Sequence, residues 1–123
     1  MEQVTIKIPA SPVYIGVVRL VAAGLAARLS FTIDEIEDLK IAVDELCAYL
    51  TGSQGRDGDL DLAFTITEDR IEIRGEAQLS PGQKVRTELT DFSRMILDTV
   101  VDSASLQQAD GSPIFELSKV KTA

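Results

Sequence analysis

The sequence has no histidine, no tryptophan and a single cysteine, Cys47, among its 123 residues. One cysteine cannot form a disulfide within the chain, and without histidine the chain is poor in the ligands that zinc prefers. We therefore expect neither a disulfide framework nor a protein-made zinc site, and a reducing cytoplasmic location. Because no histidine can activate it, we interpret Cys47 as a small core residue and not as a nucleophile.

Basic residues are also scarce. Twelve Lys and Arg stand against twenty Asp and Glu, which leaves a net charge of −8. Nucleic acid and anionic membranes both attract basic proteins, so we expect neither as a partner, whereas a basic protein surface is compatible. The N-terminus has no basic run before an apolar core, and Arg19 and Arg28 interrupt the apolar run 13–29. We therefore expect no signal peptide and no membrane span.

What the sequence does contain is the composition of a globular domain, with 45% apolar and 26% charged residues. Its length suits a single domain over residues 1–123. Apolar periodicity predicts elements in the order βααββαββ. The predicted strands are 4–8, 59–67, 70–75, 103–107 and 114–120, and the predicted helices are 12–29, 32–51 and 88–101. Three helices on one face of a mostly antiparallel sheet make an α+β two-layer sandwich.

The first helix differs from an ordinary surface helix because its apolar residues do not keep to one stripe. They are spread around most of its circumference: Val13, Ile15, Val17, Val18, Leu20, Val21, Leu25 and Leu29. A helix of this kind must be covered on more than one side. The second cover is either the rest of the same domain or a second chain.

The second helix has a clear beginning and end. Thr32 precedes Glu35 by three residues, which is the spacing of a capping box. Apolar residues then recur at intervals of three and four, and Gly52 follows the last of them. Lys40 and Asp44 are spaced for an ion pair one turn apart.

Residues 32–51 read TIDEIEDLKIAVDELCAYLT, and this segment resembles the helix that carries the catalytic Glu and the metal-binding Asn of the GHKL (Bergerat-fold) ATPases. With the preceding stretch 18–31, it is most similar to the anti-sigma-factor serine kinases of bacteria. The resemblance covers essentially the whole chain, most strongly residues 9–50. It implies a Bergerat, or HATPase-like, fold with the element order predicted above.

The chain departs from the family pattern at three features of nucleotide binding. The catalytic acid is kept as Glu45, but Tyr49 stands at the Asn position that helps to hold Mg²⁺. Residues 74–78 read RGEAQ where an Asp-x-Gly-x-Gly turn would receive adenine, and a short segment replaces the Gly-rich lid. We therefore expect a pseudokinase with a vestigial general base at Glu45, a degenerate Mg²⁺-ATP position at Tyr49, and no cofactor.

The resemblance also implies a partner surface. Arg19 lies where the anti-sigma kinases carry an Arg that contacts both the sigma factor and its antagonist. We predict Arg19 as the main partner-binding residue, joined by its neighbours Tyr14, Ile15, Val18 and Arg28. The alternative is that Arg19 is a solvated side chain whose stem lies over apolar surface.

The first functional hypothesis is an anti-sigma regulatory factor that sequesters an alternative sigma factor by direct binding, without ATP or kinase activity. Partner switching to a STAS-domain anti-anti-sigma factor would release the sigma factor. The family pairs through the first helix, which implies a homodimer. Two alternatives remain. One is an ATP-dependent serine kinase that phosphorylates the STAS partner, for which Glu45 is the support, and the other is a scaffold or dimerisation module unrelated to transcription.

Overall fold

Five strands and three α-helices follow one another in the order that the sequence predicts. This computed structural model describes residues 1–122. The elements are β1 (Glu2–Pro9), α1 (Ile15–Arg28), α2 (Ile33–Thr51), β2 (Gly58–Ile66), β3 (Arg70–Leu79), α3 (Asp91–Val100), β4 (Ser103–Ala109) and β5 (Ser112–Val120). A 3₁₀ turn over Pro12–Tyr14 precedes α1. The predicted α+β class is confirmed.

The strands form one open sheet in the order β1-β2-β3-β5-β4, and every neighbouring pair is antiparallel. β2 and β3 form a hairpin in which Ile66 pairs with Ile71 and Gly58 pairs with Leu79. β5 lies between β3 and β4, so the last strand in the sequence has an interior position in the sheet.

One hydrophobic core joins the sheet to the helices. β2 buries every second residue, including Leu60, Leu62 and Phe64. α2 buries Leu39 and Leu46 among residues spaced three and four apart, and both sets belong to the same cluster. Each buried side chain of this size contributes about 1.5–3 kcal/mol. This shared core holds α2 in place against the sheet.

The predicted capping box begins α2. The Thr32 hydroxyl accepts the Glu35 N–H at 3.1 Å, and Glu35 Oε1 accepts the Thr32 N–H at 2.7 Å. The second carboxylate oxygen of Glu35 accepts the hydroxyl and the N–H of Thr122, at 2.6 and 2.8 Å. The hydrogen bonds from Thr122, followed by those from Thr32, lower the pKa of Glu35 to about 2, against the opposing effect of burial. Glu35 therefore links the start of α2 to the C-terminal segment.

Helix α1 is buried on one side only. Ile15, Val18, Ala22 and Ala26 pack into the core. The opposite side carries an exposed row at intervals of four and three, which we call the α1 stripe: Val13, Val17, Leu20, Gly24 and Ala27. Val13 is 81% exposed and Leu20 is 72% exposed. The described part of the domain therefore does not supply the second cover that the composition of this helix calls for.

Helix α3 is shorter than predicted and rotated about its axis. Leu89, Phe92, Ile96 and Val100 are spaced to share one side of a helix, which predicts that Phe92 faces inward. Phe92 is instead 68% exposed, whereas Ser93 is buried at 4%. The buried row is Ser93, Leu97 and Val100. The helix begins at Asp91, because the Thr90 hydroxyl accepts the Ser93 N–H and acts as the N-cap.

Among the helices of residues 1–122, none combines the length and the apolar character that crossing a lipid bilayer requires.

Candidate functional site

Glu45 and Tyr49 lie one turn apart on α2, and both side chains reach the first turn of α3. The Thr90 N–H donates to the Tyr49 oxygen at 3.0 Å, and the Tyr49 hydroxyl donates to Ser93 Oγ at 2.8 Å. The Ser93 hydroxyl donates in turn to Glu45 Oε2 at 2.6 Å. Ser93 Oγ also accepts the Thr90 hydroxyl at 3.0 Å. From Thr90 through Tyr49 and Ser93 to Glu45, the hydrogen bonds all run in one direction, so the four residues form a directed chain. We call it the Tyr49–Glu45 hydrogen-bond chain.

The hydrogen-bond chain changes the chemistry of Tyr49. Burial by itself raises the pKa of this phenol, but the hydrogen bonds that Tyr49 forms with Ser93 and Thr90 outweigh burial and lower the pKa. The carboxylate of Glu45 lies near the N-terminus of α3, where the helix dipole favours negative charge. These effects stabilise the contact between α2 and α3, in which Glu45 and Ser93 are 48 positions apart in the sequence.

The hydrogen bonds of Glu45 and Tyr49 leave these two side chains few free atoms for catalysis or metal binding. The acid at the general-base position is engaged by Ser93, and the phenol at the metal position is engaged by Thr90 and Ser93. In residues 1–122 no three metal-ligating side chains come together to hold an ion. Two open depressions of about 390 and 400 Å³, which both include Ala63 and Arg74, lie on the sheet away from Glu45 and Tyr49.

The position of the family's adenine-binding turn is occupied by regular strand. The predicted end of this strand at residue 75 was wrong, because β3 continues to Leu79 and pairs with β2 along its length. Gly75 remains necessary in a strand because a β-carbon there would collide with the ring of Phe115. The glycine thus serves close packing across the sheet and does not make a turn.

Residues 80–90, which we call the connecting segment, join β3 to α3 where the family has its lid. The Ser80 hydroxyl donates to Asp57 Oδ2 at 2.6 Å. Arg56 donates through Nη1 to the Lys84 carbonyl at 2.9 Å and through Nε to the Leu50 carbonyl at 3.0 Å. With Tyr49 at Thr90, these contacts attach the connecting segment to the C-terminal end of α2 and the loop that follows it.

Arg19 forms an ion pair that the sequence analysis assigned differently. Arg19 Nε donates to Asp44 Oδ1 at 2.8 Å and so joins α1 to α2 at the surface. Lys40, which was predicted to pair with Asp44, lies instead 3.3 Å from Glu37. Within residues 1–122, Arg19 has no second acceptor, so the N–H groups of its terminal nitrogens remain available as donors. The side chain is 38% exposed.

The other predicted partner residues divide into two groups. Tyr14 and Arg28 are exposed. Ile15 and Val18 are buried in the core, at 8% and 0% exposure, so including them in a partner surface was wrong.

Arg28 is also distant from Arg19, since nine residues of helix span about 13 Å. It lines a small cleft with Glu2 and Ile66. The exposed neighbours of Arg19 that the sequence analysis missed are Val17 and Leu20. The spacing of Val18, Ala22 and Ala26 as one inner row was the signal that could have found them.

The chain is similar to the serine-protein kinases RsbW. The RsbW of Bacillus pumilus is 42% identical over 59% of this chain and 48% of its own length. The RsbW of Bacillus subtilis is 40% identical over 58% and 47%, and that of Bacillus velezensis is 42% identical over 59% and 48%.

These matches confirm the resemblance to bacterial serine kinases that residues 32–51 predicted. The match spans about half the length of the RsbW relatives. No protein-family model matches the chain.

Proposed function

We propose that this chain is an anti-sigma regulatory factor that sequesters an alternative sigma factor by direct contact, without binding ATP and without phosphorylating a partner. The observation that carries the proposal is the Tyr49–Glu45 hydrogen-bond chain, because it engages the two side chains on which nucleotide chemistry would depend. The similarity to RsbW supports the regulatory family.

The absence of kinase activity is supported by three separate segments. Tyr49 offers a phenol, a poor ligand for Mg²⁺, which prefers carboxylate and phosphate oxygens. Gly75 is part of a paired strand and packs against Phe115, so it forms no turn around a base. The connecting segment has no run of glycines whose N–H groups could surround phosphates.

The proposed partner surface is built around Arg19. Asp44 orients its guanidinium through Nε, which leaves the terminal nitrogens for a carboxylate of the sigma factor. Val17 and Leu20 lie beside it, at 44% and 72% exposure. An arginine among exposed apolar side chains is typical of residues that dominate binding energy at interfaces. The net charge of −8 suits the basic regions of a sigma factor.

We further propose that, when no sigma factor is bound, the chain forms a homodimer through the α1 stripe, because Val17 and Leu20 belong to both proposed surfaces. The intervals of four and three in this stripe are those of a helix–helix seam, and Gly24 would allow two helices to approach closely. The proposal has three further parts. The chain forms a single domain over residues 1–123 and lies in the cytoplasm, and a STAS-domain anti-anti-sigma factor releases the sigma factor.

A second candidate function is the serine kinase that phosphorylates the STAS partner. It is favoured by the names of the relatives and by the retained acid, Glu45. In a kinase, however, the acceptor serine of the partner would have to displace Ser93 from Glu45, a contact of 2.6 Å. The two candidates therefore differ in whether Mg²⁺-ATP binds.

The deciding experiment is a calorimetric titration of the alternative sigma factors of the source cell into the chain, with and without millimolar Mg²⁺-ATP. We expect one sigma factor to bind with the same affinity in both conditions, and no shift of the unfolding temperature by nucleotide. A ligand at one hundred times its Kd would add about 2.7 kcal/mol, or several degrees in a domain of this size. Such a shift, or transfer of labelled phosphate to a STAS protein, would favour the kinase. A folded chain that binds no sigma factor would favour a scaffold.

A further inference from the structure

The connecting segment contains no helix or strand, but side chains of other parts of the domain hold it at several points. Loops of this length are commonly mobile unless they are tied down. Here the beginning is tied twice to Asp57, whose carbonyl and carboxylate accept the N–H and the hydroxyl of Ser80, at 2.9 and 2.6 Å. The middle is tied to Arg56 through the Lys84 carbonyl.

The other end is attached to α2 through the Tyr49 phenol and, at Ser93, through the Glu45 carboxylate. The Tyr49 hydroxyl accepts the Thr90 N–H and donates to Ser93, so one oxygen holds both the end of the segment and the first turn of α3. Ser93 is buried at 4%, and its hydroxyl passes the contact on to Glu45. Buried chains of this kind bind strongly only when every member has its partner.

The same contacts determine which side of α3 faces solvent. Because Ser93 is drawn toward α2, Phe92 and Met95 are turned outward, at 68% and 64% exposure. An amphipathic helix would ordinarily turn such residues inward. The hydrogen bonds of Ser93 with Tyr49 and Glu45 therefore keep α3 in an orientation that its apolar residues alone would not favour.

We propose that Tyr49 is a positioning residue whose hydroxyl keeps the connecting segment and the first turn of α3 in one fixed arrangement without any bound ligand. The inference rests on the proposed function for one consequence only, that partner binding needs no nucleotide to order this region. The ordering of the connecting segment and the first turn of α3 by Tyr49 concerns the chain alone and is tested without a partner.

The test is hydrogen–deuterium exchange of the full chain and of the variant Tyr49→Phe, which removes only the hydroxyl and keeps the ring. The matched control is Tyr14→Phe, because the sequence has two tyrosines and Tyr14 lies exposed before α1. We expect exchange over residues 80–93 to become about tenfold faster in Tyr49→Phe, as for the loss of one or two ordinary hydrogen bonds. Tyr14→Phe should match the wild type.

Exchange in the β2–β3 hairpin serves as the internal reference, since general destabilisation would accelerate both regions together. The quantity compared is the exchange rate over residues 80–93 divided by the exchange rate in the hairpin. The same value of this ratio in Tyr49→Phe and in the wild type would overturn the inference. So would slower exchange over residues 80–93 when Mg²⁺-ATP is added to the wild type, because a ligand would then be doing the ordering.

A spectroscopic readout separates positioning from simple packing. The phenols are titrated by ultraviolet absorbance in the wild type and in Ser93→Ala, with each tyrosine assigned by the two Phe variants. Removing the Ser93 hydroxyl should move the ionisation of Tyr49 to higher pH, because the hydrogen bond with Ser93 lowers the pKa of this phenol. An unchanged Tyr49 titration would overturn the inference.

Sigma-factor titration of the same variants distinguishes this inference from the proposed function. If the wild type binds no sigma factor, the proposed function fails, while the exchange and absorbance results still decide the role of Tyr49.

Discussion

Gly75 in β3 lies directly beneath the ring of Phe115 in β5, its partner in the strand register. On the other side Gly75 pairs with Leu62 of β2, whose methyl carbon would be 2.9 Å from an added β-carbon. An aromatic ring thus fills the space of the missing side chain.

Replacing this glycine should therefore destabilise the fold. We expect Gly75→Ala to lower the free energy of unfolding by about 1–3 kcal/mol, the usual cost of overpacking a core. Urea unfolding followed by circular dichroism measures it. The control is Gly16→Ala in α1, where an added β-carbon meets only the end of Arg19, at 4.0 Å. That change should stabilise the helix by about 0.5–1 kcal/mol. An equal effect of the two substitutions would contradict the packing role of Gly75.

Arg19 should carry much of the affinity for the sigma factor. Truncating one member of a charge pair that is desolvated on binding typically costs about 2–5 kcal/mol, so Arg19→Ala should weaken binding by about thirtyfold or more. Arg19→Lys should recover only part of the loss, because an ammonium lacks the planar fork. Asp44→Ala should cost less, up to about fivefold, since an exposed pair contributes up to about 1 kcal/mol to orientation.

Surface-plasmon titration measures these affinities, with Arg70→Ala as the control. Arg70 forms a similar surface pair with Asp69 but lies on β3. Unchanged affinity in Arg19→Ala would mean that this arginine is only a solvated side chain.

The α1 stripe predicts the effect of a charge on self-association. Leu20→Glu should yield a folded monomer, because two buried carboxylates would face each other across a twofold interface. Ile33→Glu is the control, since Ile33 is 80% exposed but belongs to α2. Analytical ultracentrifugation at tens of micromolar protein distinguishes the two. A monomeric wild type at that concentration would refute the dimer. Val18, a more obvious choice from sequence, is unsuitable because it is a core residue.

Cys47 should be unreactive in the native state. Burial, with a smaller effect from the charge of Asp44, raises the pKa of its thiol to about 12. At pH 8, on the order of one thiol in 10⁴ would then be ionised, and the thiolate is the reactive form. We expect iodoacetamide to label the protein slowly until urea unfolds it, after which labelling is rapid. Fast labelling of the folded chain would contradict this environment.

Glu35 makes stability depend on acid. Because its folded pKa of about 2 lies below the ordinary value of 4.5, its contribution is complete above pH 4.5 and is lost as pH falls from 4.5 toward 2. Glu35→Gln should lower stability at neutral pH, where capping contacts contribute about 0.5–2 kcal/mol, and should flatten the acid dependence. Thermal unfolding from pH 7 to pH 2 measures both. Glu37→Gln, an exposed neighbour, should behave as the wild type does.

Local patterns were enough to predict the elements and their order. Alternation identified β2, and the Thr32–Glu35 spacing identified the start of α2, because both signals depend only on nearby residues. The errors arose where a distant residue decided the outcome. The sequence around Gly75 suggests that the strand ends there, because its partner Phe115 lies 40 positions away and no nearby residue reveals it.

The candidate site was harder to predict for the same reason. Ser93 faces inward because it bonds Glu45, which no periodicity within α3 reveals. Asp44 pairs with Arg19 on another helix instead of with Lys40 on its own, since the distance of 2.8 Å across the helix pair is set by packing. Sequence could name Glu45 as a retained position and Tyr49 as an altered one, but it could not identify what they bind.

The strand order has a consequence for how the chain is made. β5 is synthesised after β3 and β4, yet it lies between them. Until β5 leaves the ribosome, β4 has no strand beside it, and the edge of β3 stays open to other nascent chains. Thr122, which binds Glu35, follows β5 in the chain. Chains that stall after β4 would therefore keep an incomplete sheet and should be recognised by chaperones, whereas residues 110–122 add both β5 and the contact of Thr122 with Glu35.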